Sequence, residues 1–258
     1  MPSTEPNRFT TEAATWDEKP AVLEGARLAF NTLSPIIHTL SEKKKSETGT
    51  QIGLNILEIG CGTGLLTLRV APLVHQIVAI DPAEGMIEVL KKKKHASHSR
   101  QGNQNENSSD NIIPICHLLE DPESLSLPPA SPTDPTGPRL KFDLILSHLV
   151  MHHVPDLHSF LSTILYCLEP GGRVALTDYE DFGPEAIMFH PPTKLQDVER
   201  HGINRKWIEG LMREVGFVDV SVEAGWTLTK PVEAWEGREK GETRGFPFLV
   251  CQGTRAVS

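Results

Sequence analysis

The stretch Leu57-Glu58-Ile59-Gly60-Cys61-Gly62-Thr63-Gly64 decides how the rest of the chain is read. Its first half continues an apolar run that begins at Leu54, the length of a buried strand. Its second half places glycine at alternate positions, so the backbone can turn tightly and come close to a ligand. Gly64 to Leu73 then reads as a helix. Strand, glycine turn and helix together open a nucleotide-type binding unit. The nicotinamide and flavin fingerprint G-x-G-x-x-G requires glycine at position 65, which is Leu65. Glu58, near the strand end, would repel a pyrophosphate and welcome a cationic ligand. Taken alone, the turn also reads as a packing element and Glu58 as a solvent-exposed carboxylate.

Outward from this turn, strand and helix patterns alternate. Gln76–Ile80 is a second strand, ending at Asp81-Pro82, where Pro82 suits the first turn of a helix running to about His95. Asp81 also fits the role of that helix's N-cap. Ile112–Leu119 and Phe142–Ser147 are a third and a fourth strand. Leu157–Leu168 is a helix closed by Pro170-Gly171-Gly172, and Arg173–Thr177 a fifth strand. Asn204–Val215 is a helix ended by Gly216, and Val218–Val222 and Phe246–Gln252 complete the set, joined by a polar loop. Strands spaced by helices predict an α/β fold with a doubly wound, mostly parallel seven-stranded sheet and helices on both faces. The expected organisation is a binding domain over 54–258 preceded by an N-terminal lid segment over 1–53. Within the latter, residues 1–20 are polar and irregular, Ala21–Leu40 has helical apolar spacing, and Ser41–Gly53 is a Lys-rich linker. Two polar or Pro-rich stretches, near 97–111 and 127–138, read as flexible surface insertions.

Composition narrows the function. The 258 residues carry a net charge of −9, which disfavours nucleic acid and anionic membrane as partners. The run Lys91–Lys94 reads as a solvated helix C-terminus. No stretch approaches the about 20 apolar residues of a membrane-spanning helix, and the N-terminal residues resemble neither a signal nor a transit peptide. Four cysteines without paired or zinc-type spacing read as reduced thiols, so a cytoplasmic location is expected.

The turn LEIGCGTG resembles motif I of the class I S-adenosylmethionine-dependent methyltransferases, and further pieces follow in order. IVAIDPAEGMI (Ile77–Ile87), HLLEDPESLSLP (His117–Pro128), FDLILSHLVMHHVPD (Phe142–Asp156) and LEPGGRVALTD (Leu168–Asp178) resemble that family's successive strand-end segments. HLVMHHVPD is similar to the quinone-biosynthesis branch. The resemblance implies a Rossmann-like methyltransferase fold whose last strand is antiparallel, and S-adenosyl-L-methionine as cofactor. It implies a cofactor site drawn from Glu58, Gly60, Cys61, Gly62, Gly64, Asp81, Pro82, Met86, Asp121 and Ser147. In it Asp81 takes the ribose hydroxyls, Met86 packs on adenine, and Asp121 holds the adenine amino group. It also implies an N-terminal cover over the cofactor, with Phe9 and Trp16 either near that lid or anchoring the N-terminal helix.

Methyl transfer is a displacement at carbon, so the protein positions the acceptor and, for a protonated oxygen or nitrogen, removes a proton. His152, His153 and His190 are the candidate bases. In similar methyltransferases one histidine of such a pair packs or hydrogen-bonds beneath the cofactor instead. A metal site from His152, His153 and Asp178 lacks ligand spacing, so none is expected. A small soluble metabolite is the expected acceptor, and the expectation covers O-, N- or C-methylation. A non-catalytic or regulatory protein that retains the pocket is the second reading, and a nicotinamide oxidoreductase the third.

Overall fold

The computed structural model describes residues 8–49, 53–100, 109–233 and 241–257. Seven strands form one sheet: β1 (Asn55–Ile59), β2 (Gln76–Asp81), β3 (Ile112–Cys116), β4 (Phe142–His148), β5 (Leu168–Tyr179), β6 (Phe217–Pro231) and β7 (Thr243–Arg255). Their order is β3-β2-β1-β4-β5-β7-β6, with β7 antiparallel to both neighbours and the other pairs parallel. The expected α/β architecture is therefore present, down to the antiparallel last strand.

Strand alternation builds two cores. Ile56, Ile77, Leu144 and Leu146 point to the face covered by α2 (Pro20–Thr48), α3 (Thr67–Val70) and α4 (Glu84–Arg100), through Leu33, Ile37, Val70 and Leu90. Leu57, Val78, Ile145 and Val174 point to the face covered by α5 (Leu157–Cys167) and α6 (Arg205–Val215), through Leu161, Ile164, Ile208 and Met212. Residues one apart on a strand thus serve opposite layers, which is why these strands read as continuous apolar runs.

The structure corrects several boundaries. Arg8–Glu12 is a short helix, α1, followed by a 3-10 turn over Ala13–Glu18, so the first segment is not irregular. Helix α2 continues through the Lys-rich stretch to Thr48 and ends at Gly49 in the left-handed conformation. That stretch lacks apolar periodicity because its outer face is solvated. Lys44 is the exception, and its Nζ pairs with the Asp143 carboxylate at 2.7 Å. The segment after the glycine turn is helical only over Thr67–Val70, with a 3-10 turn at Ala71–Leu73. Helix α4 starts at Glu84 rather than Pro82, and β3 stops at Cys116. Strands β5, β6 and β7 are longer than their apolar stretches, because β7 pairs with both neighbours almost end to end.

The Lys91–Lys94 run is not wholly solvated. Lys93 Nζ donates to the Thr63 carbonyl and Lys94 Nζ to the Ile112 carbonyl. Residues 127–138 form turns around the buried Arg139, whose guanidinium donates to the carbonyls of Leu127, Pro135 and Gly137. Of the stretch 97–111, residues 101–108 lie outside the described residues. Cys61, Cys167 and Cys251 are buried free thiols and Cys116 an exposed one. No helix among the described residues is long and apolar enough to cross a membrane.

Candidate functional site

The sheet order reverses direction between β1 and β4, and a crevice opens there at the strands' carboxyl ends. A cavity of about 230 Å³ fills it. Motif I forms one wall. Gly60 (φ +71°) and Gly64 (φ +81°) adopt the left-handed conformation, and a Cβ at either would overlap Val150 or Leu90. Glycine is therefore required for both backbone and packing reasons. The Gly60 amide donates to the Ile80 carbonyl at 2.8 Å, tying the turn to the end of β2.

Two carboxylates face this turn. Asp81, at the end of β2, accepts from the Gly62 amide at 2.9 Å and the Ala83 amide at 2.8 Å. It is thus both a cap for the turn before α4 and a brace for motif I. Burial raises its pKa, and those two amides oppose the rise. Glu58 is 2% exposed, not solvated, and its Oε2 has no hydrogen-bond partner. Burial pushes its pKa up to about 8, with Thr67 opposing and Asp81 adding to the rise. A buried acceptor without a donor costs about 1–3 kcal/mol, so the cavity is built for a ligand that brings a donor or a cation.

Among the residues read from sequence, Glu58, Gly60, Cys61, Gly62, Asp81, Pro82 and Met86 line the cavity together. Gly64 shapes the turn from behind, against Leu90. Asp121 and Ser147 are not cavity-lining. The Asp121 side chain accepts from the Glu123 amide in an exposed turn, and Ser147 Oγ donates to the Ile59 carbonyl between β4 and β1. The resemblance of His117–Pro128 to the segment after the third strand had implied Asp121 as an adenine partner, and here its side chain is spent on that turn.

The N-terminal segment forms the opposite wall. Phe9 and Trp16 both line the cavity and pack edge-on at 5.8 Å. They also contact Ala13, Ala83 and Met86, so they cover the cavity and anchor the segment at once. Ion pairs hold it down. Arg8 meets Asp197 at 2.9 Å, Lys194 meets Glu12 at 2.9 Å, and Asp17 pairs with Lys93. Thr63 Oγ1 of the glycine turn donates to Asp17.

His153 also lines the cavity, edge-on to Phe9 at 5.3 Å. Its Nδ1 donates to the Asp197 carbonyl at 2.6 Å, and burial, reinforced by His152, lowers its pKa to about 4. His152 lies behind it, 1% exposed, with Nδ1 on Asp178 Oδ1 at 2.8 Å. His190 completes the group, with ring centroids 5.0 Å from His152 and 5.8 Å from His153. His148, which was not among the candidate residues, also lines the cavity, its Nδ1 fixed by Thr177 at 2.9 Å.

Known proteins share the family and the fold. A model of the methyltransferase domain family matches residues 26–222. A ubiquinone biosynthesis O-methyltransferase of Bradyrhizobium sp. (strain ORS 278) is 30% identical over 125 residues, covering 48% of this chain and 40% of that protein. The chain therefore aligns with less than half the length of that relative. Among solved structures, YcgJ of Bacillus subtilis superposes with a TM-score of 0.57 at 14% identity, over 85% of this chain and 99% of that one. A SAM-dependent methyltransferase from Aquifex aeolicus superposes with a TM-score of 0.55 at 15% identity, over 96% and 98%. These structures share the fold. The family implies S-adenosylmethionine, not a nicotinamide, as cofactor. The chain belongs to the methyltransferase domain family and is a class I S-adenosylmethionine-dependent methyltransferase.

Proposed function

We propose that this chain methylates a small-molecule acceptor bound in the cavity that Phe9, Trp16 and His153 line together. The observation that carries the cofactor half is Glu58, a buried carboxylate with an unpartnered oxygen beside the glycine turn. A cation restores its charge, and S-adenosylmethionine brings an ammonium and a sulfonium without a phosphate. When bound, that cofactor supplies a methyl group activated by the positive sulfur.

The chain's residues do the rest. Gly60 and Gly62 give the ligand access to the backbone, and Asp81 offers carboxylate oxygens already oriented by two amides. Met86, buried against Ala83, gives an apolar surface for the adenine. Phe9 and Trp16 exclude water, which leaves an incoming nucleophile less solvated. The acceptor half rests on His153, which lines the cavity with Nδ1 held by the Asp197 carbonyl and Nε2 left as an acceptor. The O-methyltransferase relative favours a hydroxyl acceptor. Free thiols at all four cysteines favour the cytoplasm.

The test is calorimetric titration of S-adenosylmethionine and S-adenosylhomocysteine, with Asp81→Ala alongside, followed by a screen of hydroxylated acceptors for S-adenosylhomocysteine formation. Micromolar binding that Asp81→Ala weakens at least about tenfold, a loss of about 1.4 kcal/mol, is expected. Binding without turnover on any acceptor turns the reading toward a regulatory protein. No binding to folded protein overturns it.

A further inference from the structure

The three histidines beside the cavity are arranged as ligands. One ring nitrogen from each of His152, His153 and His190 lies within 4.8 Å of the other two. His152 Nδ1 faces the Asp178 carboxylate, so its second nitrogen, Nε2, points elsewhere; that atom is buried and has no partner. His190 Nδ1 is likewise buried and unpartnered. His153 spends Nδ1 on the Asp197 carbonyl, which leaves Nε2 as an acceptor. The lone pairs of His152 Nε2 and His153 Nε2 remain, and the His190 ring brings a third nitrogen to the same space. Packing alone does not explain such a group, because buried nitrogen acceptors cost free energy unless something occupies them.

The supporting shell matches a metal centre as well. Metal-bound histidines pass their other ring N–H to a carboxylate or a backbone carbonyl, which fixes tautomer and orientation. Asp178 does this for His152, and the Asp197 carbonyl does it for His153. Asp178 is fully buried and is itself braced by the amides of His152 and Tyr179. Nearby cations are engaged elsewhere. Arg8 is paired with Asp197, and Lys230 donates to the Phe189 carbonyl.

We propose that His152, His153 and His190 bind a divalent first-row transition ion of zinc type. Three imidazoles suit zinc, cobalt and nickel rather than magnesium or calcium. Tetrahedral binding needs nitrogens about 3.3 Å apart, from metal–nitrogen bonds of about 2.0–2.1 Å, so the rings draw together on the ion. Three protein ligands leave a fourth position for water or substrate, as in catalytic rather than structural sites. His153 is the ligand that lines the cavity, so the ion adjoins it.

The site itself stands on the imidazole geometry, and only its bearing on catalysis rests on the methyl-transfer reading. There, a hydroxyl acceptor in the fourth position loses its proton to solvent through the acidifying effect of the metal. Its oxygen then forms the new O–C bond as the C–S bond breaks, and the sulfur leaves as a neutral thioether. His153 then serves as ligand and not as base.

The experiment is titration of chelator-treated full chain with cobalt(II), followed by absorption spectroscopy and zinc competition, with no cofactor or acceptor present. One cobalt per chain with the intense visible bands of a tetrahedral site, displaced by zinc, is the expected result. The site should be lost in His190→Gln and weakened about 10–100-fold in Asp178→Asn, which removes only the carboxylate behind His152. S-adenosylmethionine binding, read by calorimetry, reports whether each variant is folded. Should a variant not fold, imidazole nitrogen shifts in the unmodified chain decide, since zinc must move three histidines together. Absence of a tetrahedral cobalt spectrum in folded chain, equal binding by folded His190→Gln, or shifts at other histidines overturns the proposal. Cobalt binding without S-adenosylmethionine binding leaves the metal site standing and removes the methyl-transfer reading instead.

Discussion

Glu58 links the chemistry of the cavity to pH. In the free protein burial holds its pKa near 8, so at neutral pH the carboxyl is mostly protonated. A cationic ligand favours the carboxylate, lowers that pKa and expels a proton on binding. Affinity for S-adenosylmethionine should therefore climb between about pH 6 and pH 7.5, by at most tenfold per unit, and Glu58→Gln should flatten the climb. Calorimetry in buffers of different ionisation heat measures both the slope and the proton. Without ligand, the same group contributes stability that is full below its ordinary value of 4.5 and is lost as pH rises through about 8. Gly64 offers a second test at this scale. Gly64→Ala forces a side chain into the left-handed region and against Leu90, and should cost about 2–4 kcal/mol in urea denaturation. Glu58, the glycines and Asp81 were legible in sequence because all sit within a few residues of one strand end. His190 was legible only as a candidate. Its meeting with His152 and His153 depends on the course of the chain after β5, a 3-10 turn over Pro184–Phe189, which no local periodicity announces.

The N-terminal cover is the element whose behaviour is most open to measurement. Its ion pairs with Asp197, Lys194 and Lys93 are only partly buried. Each is worth roughly 0.2–1 kcal/mol and is weakened by salt. Raising ionic strength from 0.1 to 1 M shortens the screening length from about 10 to about 3 Å. Release of S-adenosylhomocysteine, followed by stopped flow, should then speed up roughly two- to tenfold, since 1.4 kcal/mol is one power of ten. Asp17→Asn should do the same at low salt. The helix through Lys43–Lys45 was misread as linker for a physical reason. Its stability comes from the buried Leu33, Ile37 and Leu40 further back, and its own side chains show only a solvated surface. Similarly, β6 beyond Val222 buries only Leu228 as it runs along β7, and read from sequence as polar loop.

At the scale of the whole molecule, a ligand held between the two walls couples cover, glycine turn and sheet. S-adenosylmethionine at a hundred times its Kd should add about 2.7 kcal/mol of stability and raise the Tm by roughly 5–10 °C. Asp81→Ala should shrink that shift in a thermal scan at the same concentration. The alternation of strands and helices made the sheet and its layers readable before the structure, because parallel pairing at the centre demands long apolar runs on both faces.

Strand β7 lies between β5 and β6, although it follows both in the chain. A ribosome making this protein therefore exposes β5 and β6 before the strand that separates them exists. Asp178 and Tyr179, which pair with Leu249 and Phe248, stay on an open edge until that segment emerges. The histidine cluster resting on Asp178 thus assembles among the last steps of synthesis, and the nascent chain carries an unpaired β5 edge that other chains can capture.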